Sequence, residues 1–297
     1  MNVLRTPVER FKNLKDYNFD ENYIEFNVDD GTNIRMHYID ENKDSSDVVL
    51  LMHGEPTWSY LYRHMIPILA KAGKRVIAPD LIGFGKSDKL SERADYTYER
   101  HILWTSNILT QLNLSNITFF GQDWGGLIGL RLVAQNPELF KGLVLSNTGM
   151  PIGKGTTDAF EAWKKFSQTV EHFNSGRIIV GGTTKELSDD EVAAYNAPFP
   201  DDSYLACARQ FPTLVPMNPT DPSVKENIEA WEVLKKFEKP TLTLFGSEDK
   251  VFMGGEKIIQ KLIPGANGMD HKMIDAGHFS QEDQPELLAN AILNLYN

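Results

Sequence analysis

The chain has 297 residues, of which 41 are Asp or Glu and 30 are Lys or Arg, so its formal net charge at pH 7 is −11. This acidic balance weighs against nucleic acid or an anionic membrane as a partner, because both require a basic protein surface. The single cysteine, Cys207, excludes an internal disulfide, no apolar run reaches membrane length and residues 1–15 lack the apolar core of a signal peptide, so we expect a cytoplasmic protein.

The N-terminal half of the chain alternates predicted strands with predicted helices. Residues 23–28 and 34–39 flank a DDGT turn, which favours an antiparallel hairpin. The continuous apolar run VVLLM at 48–52 is typical of a strand covered on both faces. The elements predicted after it are a helix over 58–72, a strand over 75–79, a helix over 98–112, a strand over 117–121, a helix over 124–135 and a strand over 142–146.

This alternation stops between residues 148 and 216. Helical stretches at 158–173 and 188–195, and prolines at 198, 200, 212 and 216, replace the strands. The alternation then returns, with helices predicted over 228–237, 256–263 and 287–296 and strands over 240–245 and 271–274. We therefore predict an α/β fold with a mostly parallel central sheet and helices on both faces. Its core domain would comprise residues 1–147 and 217–297, and residues 148–216 would form an inserted helical cap domain.

A sharp turn is predicted where the strand over 117–121 meets the following helix. Gly121 and Gly125 flank Asp123 in the G-x-nucleophile-x-G spacing of a nucleophile elbow. Such a turn leaves no room for a Cβ two residues to either side of the nucleophile. A carboxylate is ionised near neutral pH, so it can attack carbon directly and form an ester. The plainer interpretation is an Asp that caps a helix after a glycine-rich turn.

Two later predicted strands are each followed by a residue suited to assist Asp123. Asp249 follows the first of these strands and His278 follows the second. Ligands of open parallel sheets lie beyond the carboxyl ends of the strands, so Asp123, Asp249 and His278 are expected at one edge. Their order along the chain, nucleophile then acid then histidine, is that of the α/β-hydrolase fold. His53 is a rival base, although its position at a strand end favours a role in holding the loop.

Three segments resemble the haloalkane dehalogenases: HGEPTW at 53–58, GQDWGG at 121–126 and, in the predicted cap, FEAW at 160–163. The resemblance covers nearly the whole chain and is strongest to the subfamily that degrades short dichlorinated alkanes, such as 1,2-dichloroethane. It implies that Asp123 is the nucleophile, His278 the base and Asp249 the acid partner of the histidine. The implied reaction converts a small halogenated alkane and water into an alcohol, a halide ion and a proton.

The resemblance also implies which groups hold the leaving ion and the developing oxyanion. Trp124 and Trp163 would bind the halide, and the main-chain amides of Glu55 and Trp124 would form the oxyanion hole. Phe160 and Pro212, in the cap, would line the halide pocket. An indole N–H donates a hydrogen bond but cannot accept one, which suits a site for a departing anion. No metal or organic cofactor is implied, and the sequence holds no Cys/His cluster with ligand spacing.

Other interpretations remain open at this point. An epoxide hydrolase also uses an Asp nucleophile and needs cap tyrosines, for which Tyr195 and Tyr204 are candidates, although Glu55 and Trp163 weigh against it. A fluoroacetate dehalogenase would carry arginines just after the nucleophile, where only Arg131 follows. A non-catalytic receptor of the same fold would bind a small apolar ligand under the cap. We expect a monomer that releases bromide from brominated alkanes, whereas the alternatives would not.

Overall fold

The computed structural model describes residues 1–296. In this range the strands are β1 (Val3–Leu4), β2 (Asn22–Asn27), β3 (Asn33–Glu41), β4 (Val48–Met52), β5 (Arg75–Pro79), β6 (Lys89–Leu90), β7 (Ile117–Gln122), β8 (Phe140–Ser146), β9 (Thr241–Gly246) and β10 (Lys272–Ile274). The α-helices are α1 (Met65–Lys71), α2 (Tyr98–Gln111), α3 (Trp124–Gln135), α4 (Asp158–Thr169), α5 (Ser175–Gly181), α6 (Asp189–Asn196), α7 (Ala206–Leu214), α8 (Val224–Leu234), α9 (Gly255–Leu262), α10 (Ser280–Asp283) and α11 (Pro285–Leu293). None of these helices combines the length and the apolar character that a membrane crossing needs.

One sheet runs through the centre of the described chain in the order β10-β9-β8-β7-β4-β5-β3-β2. Neighbouring strands from β10 to β5 are parallel, and β5, β3 and β2 pair antiparallel. The β2–β3 pair is the hairpin expected from the sequence. Every residue of β4, β7 and β9 is buried, as the apolar runs of these strands require when helices cover both faces. The predicted mostly parallel sheet with helices on both faces is confirmed.

Two helices differ from the sequence prediction because of proline. The single helix expected over 58–72 is instead a 3-10 turn, Ser59–Tyr62, followed by α1. Pro67 lies in the first turn of α1, where its missing N–H has no helical partner to lose, and its ring disfavours a helix that starts earlier. Pro212 lies inside α7, although this proline was predicted to interrupt regular structure. Buried Phe211 on the same helix packs in the core and offsets the lost hydrogen bond.

The helices α4 to α7 lie between β8 and α8 in the chain and are tied to the rest of the protein. The guanidinium of Arg63 donates to Glu282 of α10 at 2.9 Å and to Glu191 of α6 at 3.1 Å. The N-terminal segment contacts the same region, because Thr6 Oγ1 donates to the carbonyl of Pro198 at 2.7 Å and Arg10 Nε donates to the carbonyl of Ala197 at 2.7 Å.

Candidate active site

The turn between β7 and α3 holds Asp123 in a rarely populated backbone conformation, with φ 50° and ψ −130°. Close packing of glycines around it makes this possible. A Cβ on Gly125 would lie 1.9 Å from the carbonyl oxygen of Met52, and a Cβ on Gly54 would lie 2.2 Å from Asp123 Oδ1. The side-chain hydroxyl of Thr148 donates to the carbonyl of Asp123 at 2.8 Å and supports the turn from the other side.

The carboxylate of Asp123 faces two main-chain donors. The N–H of Glu55 donates to Asp123 Oδ1 at 2.8 Å, and the N–H of Trp124 also hydrogen-bonds to this carboxylate. Burial raises the pKa of Asp123, while nearby His278 and the two amides oppose that rise. The net pKa lies above the usual value for Asp. One carboxylate oxygen is therefore held by an amide, and Oδ2 is the oxygen on the side of His278.

His278 lies between the two acids named from the sequence. Its Nε2 is 3.7 Å from Asp123 Oδ2, and its Nδ1 is 3.2 Å from Asp249 Oδ2. Burial alone would lower the pKa of His278, but Asp249 and then Asp123 raise it, and the net pKa is above the usual value. Burial would raise the pKa of Asp249, but His278 and the amides of Val251 and Phe252 bring it below the usual value. The structure thus brings Asp123, Asp249 and His278 together, with a hydrogen bond between His278 and Asp249 and with Asp123 within 4 Å of the other ring nitrogen.

A cavity of about 410 Å³ opens above this line of residues. Asp123 and His278 form its floor, and the side chains expected from the resemblance also line it: Glu55, Trp124, Phe160, Trp163 and Pro212. Other apolar wall residues that the sequence did not indicate are Leu127, Phe166, Val215, Val251 and Phe252. A volume of this size is within the usual range for small-molecule sites.

The indole N–H groups of Trp124 and Trp163 have no protein acceptor within residues 1–296, in contrast to those of Trp58 and Trp231. Trp58 donates to the carbonyl of Ala194 at 3.2 Å and Trp231 to that of Met150 at 2.9 Å. Phe211 stacks on Trp124 with ring centroids 4.5 Å apart and fixes the plane of that indole. Two unpaired donors in an apolar cavity are suited to an anion.

The side chain of Glu55 is buried and its Oε1 has no hydrogen-bond partner within residues 1–296. Burial and the negative charge of Asp123 raise the pKa of Glu55 well above its usual value. Glu55 therefore lines the cavity with a carboxyl group that holds its proton more tightly than an exposed Glu does.

The rival base His53 is engaged by main-chain groups on both ring nitrogens. Its Nδ1 donates to the carbonyl of Gly54 at 2.9 Å, and its Nε2 accepts the N–H of Leu81 at 2.9 Å. Cys207 is buried, with its Sγ 3.5 Å from the carbonyl oxygen of Ile82. Neither residue lines the cavity. The described part of the chain also contains no group of three or more His, Cys, Asp or Glu side chains that could hold a metal ion.

Two residues that contact His278 were not indicated by the sequence patterns. The amide nitrogen of Asn147 donates to the carbonyl of His278 at 2.8 Å, and its Oδ1 accepts the N–H of Gly246 at 2.8 Å. The amide nitrogen of Gln122 lies 3.1 Å from His278 Nε2. Gln122 stands inside the GQDWGG segment, so its place beside Asp123 was the only available signal.

Comparison with known proteins bears directly on this geometry. The family model for the alpha/beta hydrolase fold matches residues 47–285. A haloalkane dehalogenase of Psychrobacter cryohalolentis is 52% identical over 295 residues, which cover 99% of this chain and 97% of that protein. One of Mycolicibacterium paratuberculosis is 48% identical over 295 residues, covering 99% of this chain and 98% of the relative.

The chain belongs to the haloalkane dehalogenases. It is accordingly a hydrolase that acts on carbon–halide bonds, and the resemblance found in the sequence is confirmed. A solved haloalkane dehalogenase from Paraglaciecola agarilytica, described as tetrameric, superposes with a TM-score of 0.91 at 35% identity, with 99% of both chains covered. Membership of the haloalkane dehalogenases sets aside the epoxide hydrolase, fluoroacetate dehalogenase and receptor interpretations.

Proposed function

We propose that this dehalogenase acts in two steps through an alkyl ester on Asp123. One observation carries the proposal: Asp123 lines a mainly apolar cavity together with Trp124 and Trp163, whose indole N–H groups make no hydrogen bond within residues 1–296. His278 lies within reach of the same carboxylate, with its Nε2 3.7 Å from Asp123 Oδ2. The cavity therefore supplies a nucleophile, a base and a site for the leaving ion.

In the first step an oxygen of Asp123 attacks the carbon that bears the halogen. The new C–O bond forms as the C–halogen bond breaks, and the halide leaves with the bonding electron pair. Trp124 and Trp163 donate their indole N–H groups to the departing ion. A hydrogen bond to a charged group contributes about 1.5–3 kcal/mol, so the two donors together favour departure of the halide substantially.

In the second step His278 Nε2 removes a proton from water while the water oxygen attacks the ester carbonyl carbon of Asp123. The amides of Glu55 and Trp124 stabilise the oxyanion that forms. The intermediate then collapses, the alkoxide takes the proton from His278, and the new carboxyl group of Asp123 ionises. Asp249 orients the imidazole and balances its transient positive charge. The products are an alcohol, a halide ion and a proton.

Trapping of the ester tests this scheme. The variant His278→Asn, incubated with 1,2-dibromoethane, is expected to release one bromide per chain and to retain a bromoethyl group. Intact mass spectrometry measures the added mass, and peptide mapping locates it on Asp123. The control is the double variant His278→Asn with Asp123→Asn, which should acquire no label. A folded His278→Asn chain that gains no mass, or that is labelled elsewhere, would contradict the scheme.

We further propose that residues 148–216 act as a cap domain over a core formed by residues 1–147 and 217–297. Trp163, Phe160 and Pro212 support this proposal, because all three belong to the cap segment and line the cavity above Asp123. The cap would then set the width of the cavity and the range of substrates. A panel of chlorinated, brominated and iodinated alkanes, scored by proton release, identifies the preferred substrate.

Assembly and location are part of the same proposal. The sequence led us to expect a monomer, and the tetrameric description of the Paraglaciecola agarilytica enzyme weighs against that expectation. Light scattering of the purified chain distinguishes one copy from four. A cytoplasmic location is supported by the single cysteine and is tested by cell fractionation.

A further inference from the structure

Gln122 is the last residue of β7, is fully buried and directs its side-chain amide at His278. Its Nε2 lies 3.1 Å from His278 Nε2 and 3.1 Å from the carbonyl oxygen of His278. A single amide group therefore contacts both the ring and the main chain of the same histidine. No function derived above uses this contact.

The orientation of the Gln122 amide follows from the chemistry of its neighbours. A carbonyl oxygen can only accept hydrogen bonds, so the nitrogen of Gln122, not its oxygen, must face the carbonyl of His278. The oxygen of Gln122 is then left buried with no partner within residues 1–296. Leaving a buried acceptor unpaired is unfavourable, so the two bonds on the nitrogen side must offset that loss.

This orientation determines which nitrogen of His278 carries the proton. The second N–H of Gln122 points at His278 Nε2, which can accept only when it has a free lone pair. The opposite nitrogen, Nδ1, is 3.2 Å from Asp249 Oδ2 and donates its proton to that carboxylate. The imidazole is thus held from both ends as the neutral Nδ1–H tautomer, the form that a general base needs.

We propose that Gln122 is a positioning residue for hydrolysis, which holds His278 in the basic tautomer and disfavours its protonated form. When Nε2 gains a proton from water, the new N–H faces the N–H of Gln122 and the two donors repel each other. The proton is therefore passed on readily to the departing alcohol. The proposal rests on the role of His278 as the base in the proposed function.

Other groups that face His278 also affect its pH dependence. Asp249 and Asp123 are the titratable groups in contact with the ring, and both favour the protonated form. Phe252 stacks on one face of the ring with centroids 6.0 Å apart, and Phe279 lies edge-on at 4.8 Å. Among these neighbours, Gln122 is the group whose donation to Nε2 favours the neutral ring. Its removal should therefore raise the pKa of His278.

The test is the pH profile of ester hydrolysis in Gln122→Met, which preserves the length of the side chain without its donors. A base works only when unprotonated, so hydrolysis is lost as pH falls through the pKa of His278. We expect the acidic limb of the profile to move to higher pH by about 0.5–1 unit, the equivalent of one lost hydrogen bond. The rate of the bromide burst, which reports the alkylation step, should stay within about twofold because His278 does not act in it.

Two further variants keep the test decisive. Gln122→Glu puts a carboxylate beside Nε2 and should shift the limb further in the same direction, which also serves if Gln122→Met is unstable. The matched control is Thr243→Val on β9. It removes a buried hydroxyl that lies 3.0 Å from His271 Nδ1 and should leave the acidic limb unmoved. A slower reaction with an unshifted limb in both Gln122 variants would overturn the proposal. Trapping of the ester in His278→Asn would still support the proposed function in that case.

Discussion

Trp163 and Trp231 differ in whether the protein itself accepts a hydrogen bond from the indole N–H. Its ring packs beside Phe166 and Phe173 on the cap side of the cavity, while its N–H has no acceptor within residues 1–296. Trp231 has the opposite arrangement, because its N–H is already bonded to the carbonyl of Met150. The same side-chain type thus has an unpaired donor in one position, which suits the halide site proposed above, and a donor used by the fold in the other.

Replacement of Trp163 by Phe retains an aromatic ring and removes the donor. We expect the dissociation constant for bromide to increase about tenfold or more, because a hydrogen bond to a charged group is lost. Quenching of tryptophan fluorescence by bromide measures this change. Trp231→Phe is the control and should bind bromide as the unaltered chain does. Equal bromide affinity in Trp163→Phe and the unaltered chain would remove Trp163 from the halide site.

The sequence predicted the two acids and the histidine that the structure places together at the cavity, and it missed two residues that hydrogen-bond to the histidine. Asp123, Asp249 and His278 stand at strand ends in a recognisable order. Gln122 and Asn147 act through hydrogen bonds to a residue 156 and 131 positions away in the chain, respectively. A pattern of neighbouring residues carries no information about such distant partners, so these contacts required the structure.

At the scale of elements, the elbow between β7 and α3 depends on close approach of the main chain. Gly125 packs against the carbonyl of Met52 in β4, whereas Gly54 packs against the side chain of Asp123. The glycine spacing made this turn predictable. Helices α5 and α7 were not predicted, since α5 spans only seven residues and α7 contains a proline, and packing on neighbouring elements stabilises both.

Adding a Cβ at Gly125 is expected to affect folding, whereas adding one at Gly54 is expected to affect mainly the alkylation rate. In Gly125→Ala the Cβ would meet main chain at 1.9 Å, so β4 must move and the folded protein should be lost. In Gly54→Ala the added Cβ would meet the side chain of Asp123, with Oδ1 at 2.2 Å and Cβ at 2.4 Å, so Asp123 as a whole must shift. The alkylation rate should then fall by about 100-fold, with a smaller loss of thermal stability. Calorimetry and bromide-burst kinetics measure the two effects. Gly149→Ala, whose Cβ would have an ordinary contact at 3.8 Å, is the control. A soluble, active Gly125→Ala chain would refute this account.

For the whole molecule, a buried ion network joins helices α6 and α10, which lie far apart in the chain. Arg63 is fully buried and pairs with Glu282 of α10 and with Glu191 of α6, and the hydroxyl of Tyr195 of α6 also donates to Glu282. Removal of Arg63 takes the cation away from Glu282 and leaves that buried carboxylate the neutral hydroxyl of Tyr195. The network should therefore stabilise the packing of α6 against α10 mainly through the penalty for breaking it.

Replacing Arg63 by Met tests this network. We expect the free energy of unfolding to fall by about 3–5 kcal/mol, because Glu282 would keep a buried charge without its cationic partner. Urea denaturation measures the loss. The matched control is Lys225→Met, which removes an exposed cation from an i,i+4 pair with Glu229 and should change stability little. A similar small effect in both variants would indicate that solvent reaches Glu282 and that the network adds little.

The bonds of Thr6 and Arg10 to the carbonyls of Pro198 and Ala197 have a practical consequence for engineering this enzyme. Through these bonds the first residues of the chain hold residues 197–198, which lie nearly 200 positions further along. Exchanging residues 148–216 for the matching segment of a relative, in order to alter substrate choice, should keep these bonds only where the main chain at positions 197 and 198 stays in place against residues 1–10. A graft that carries residues 1–10 together with residues 148–216 keeps the donors and acceptors of this contact matched.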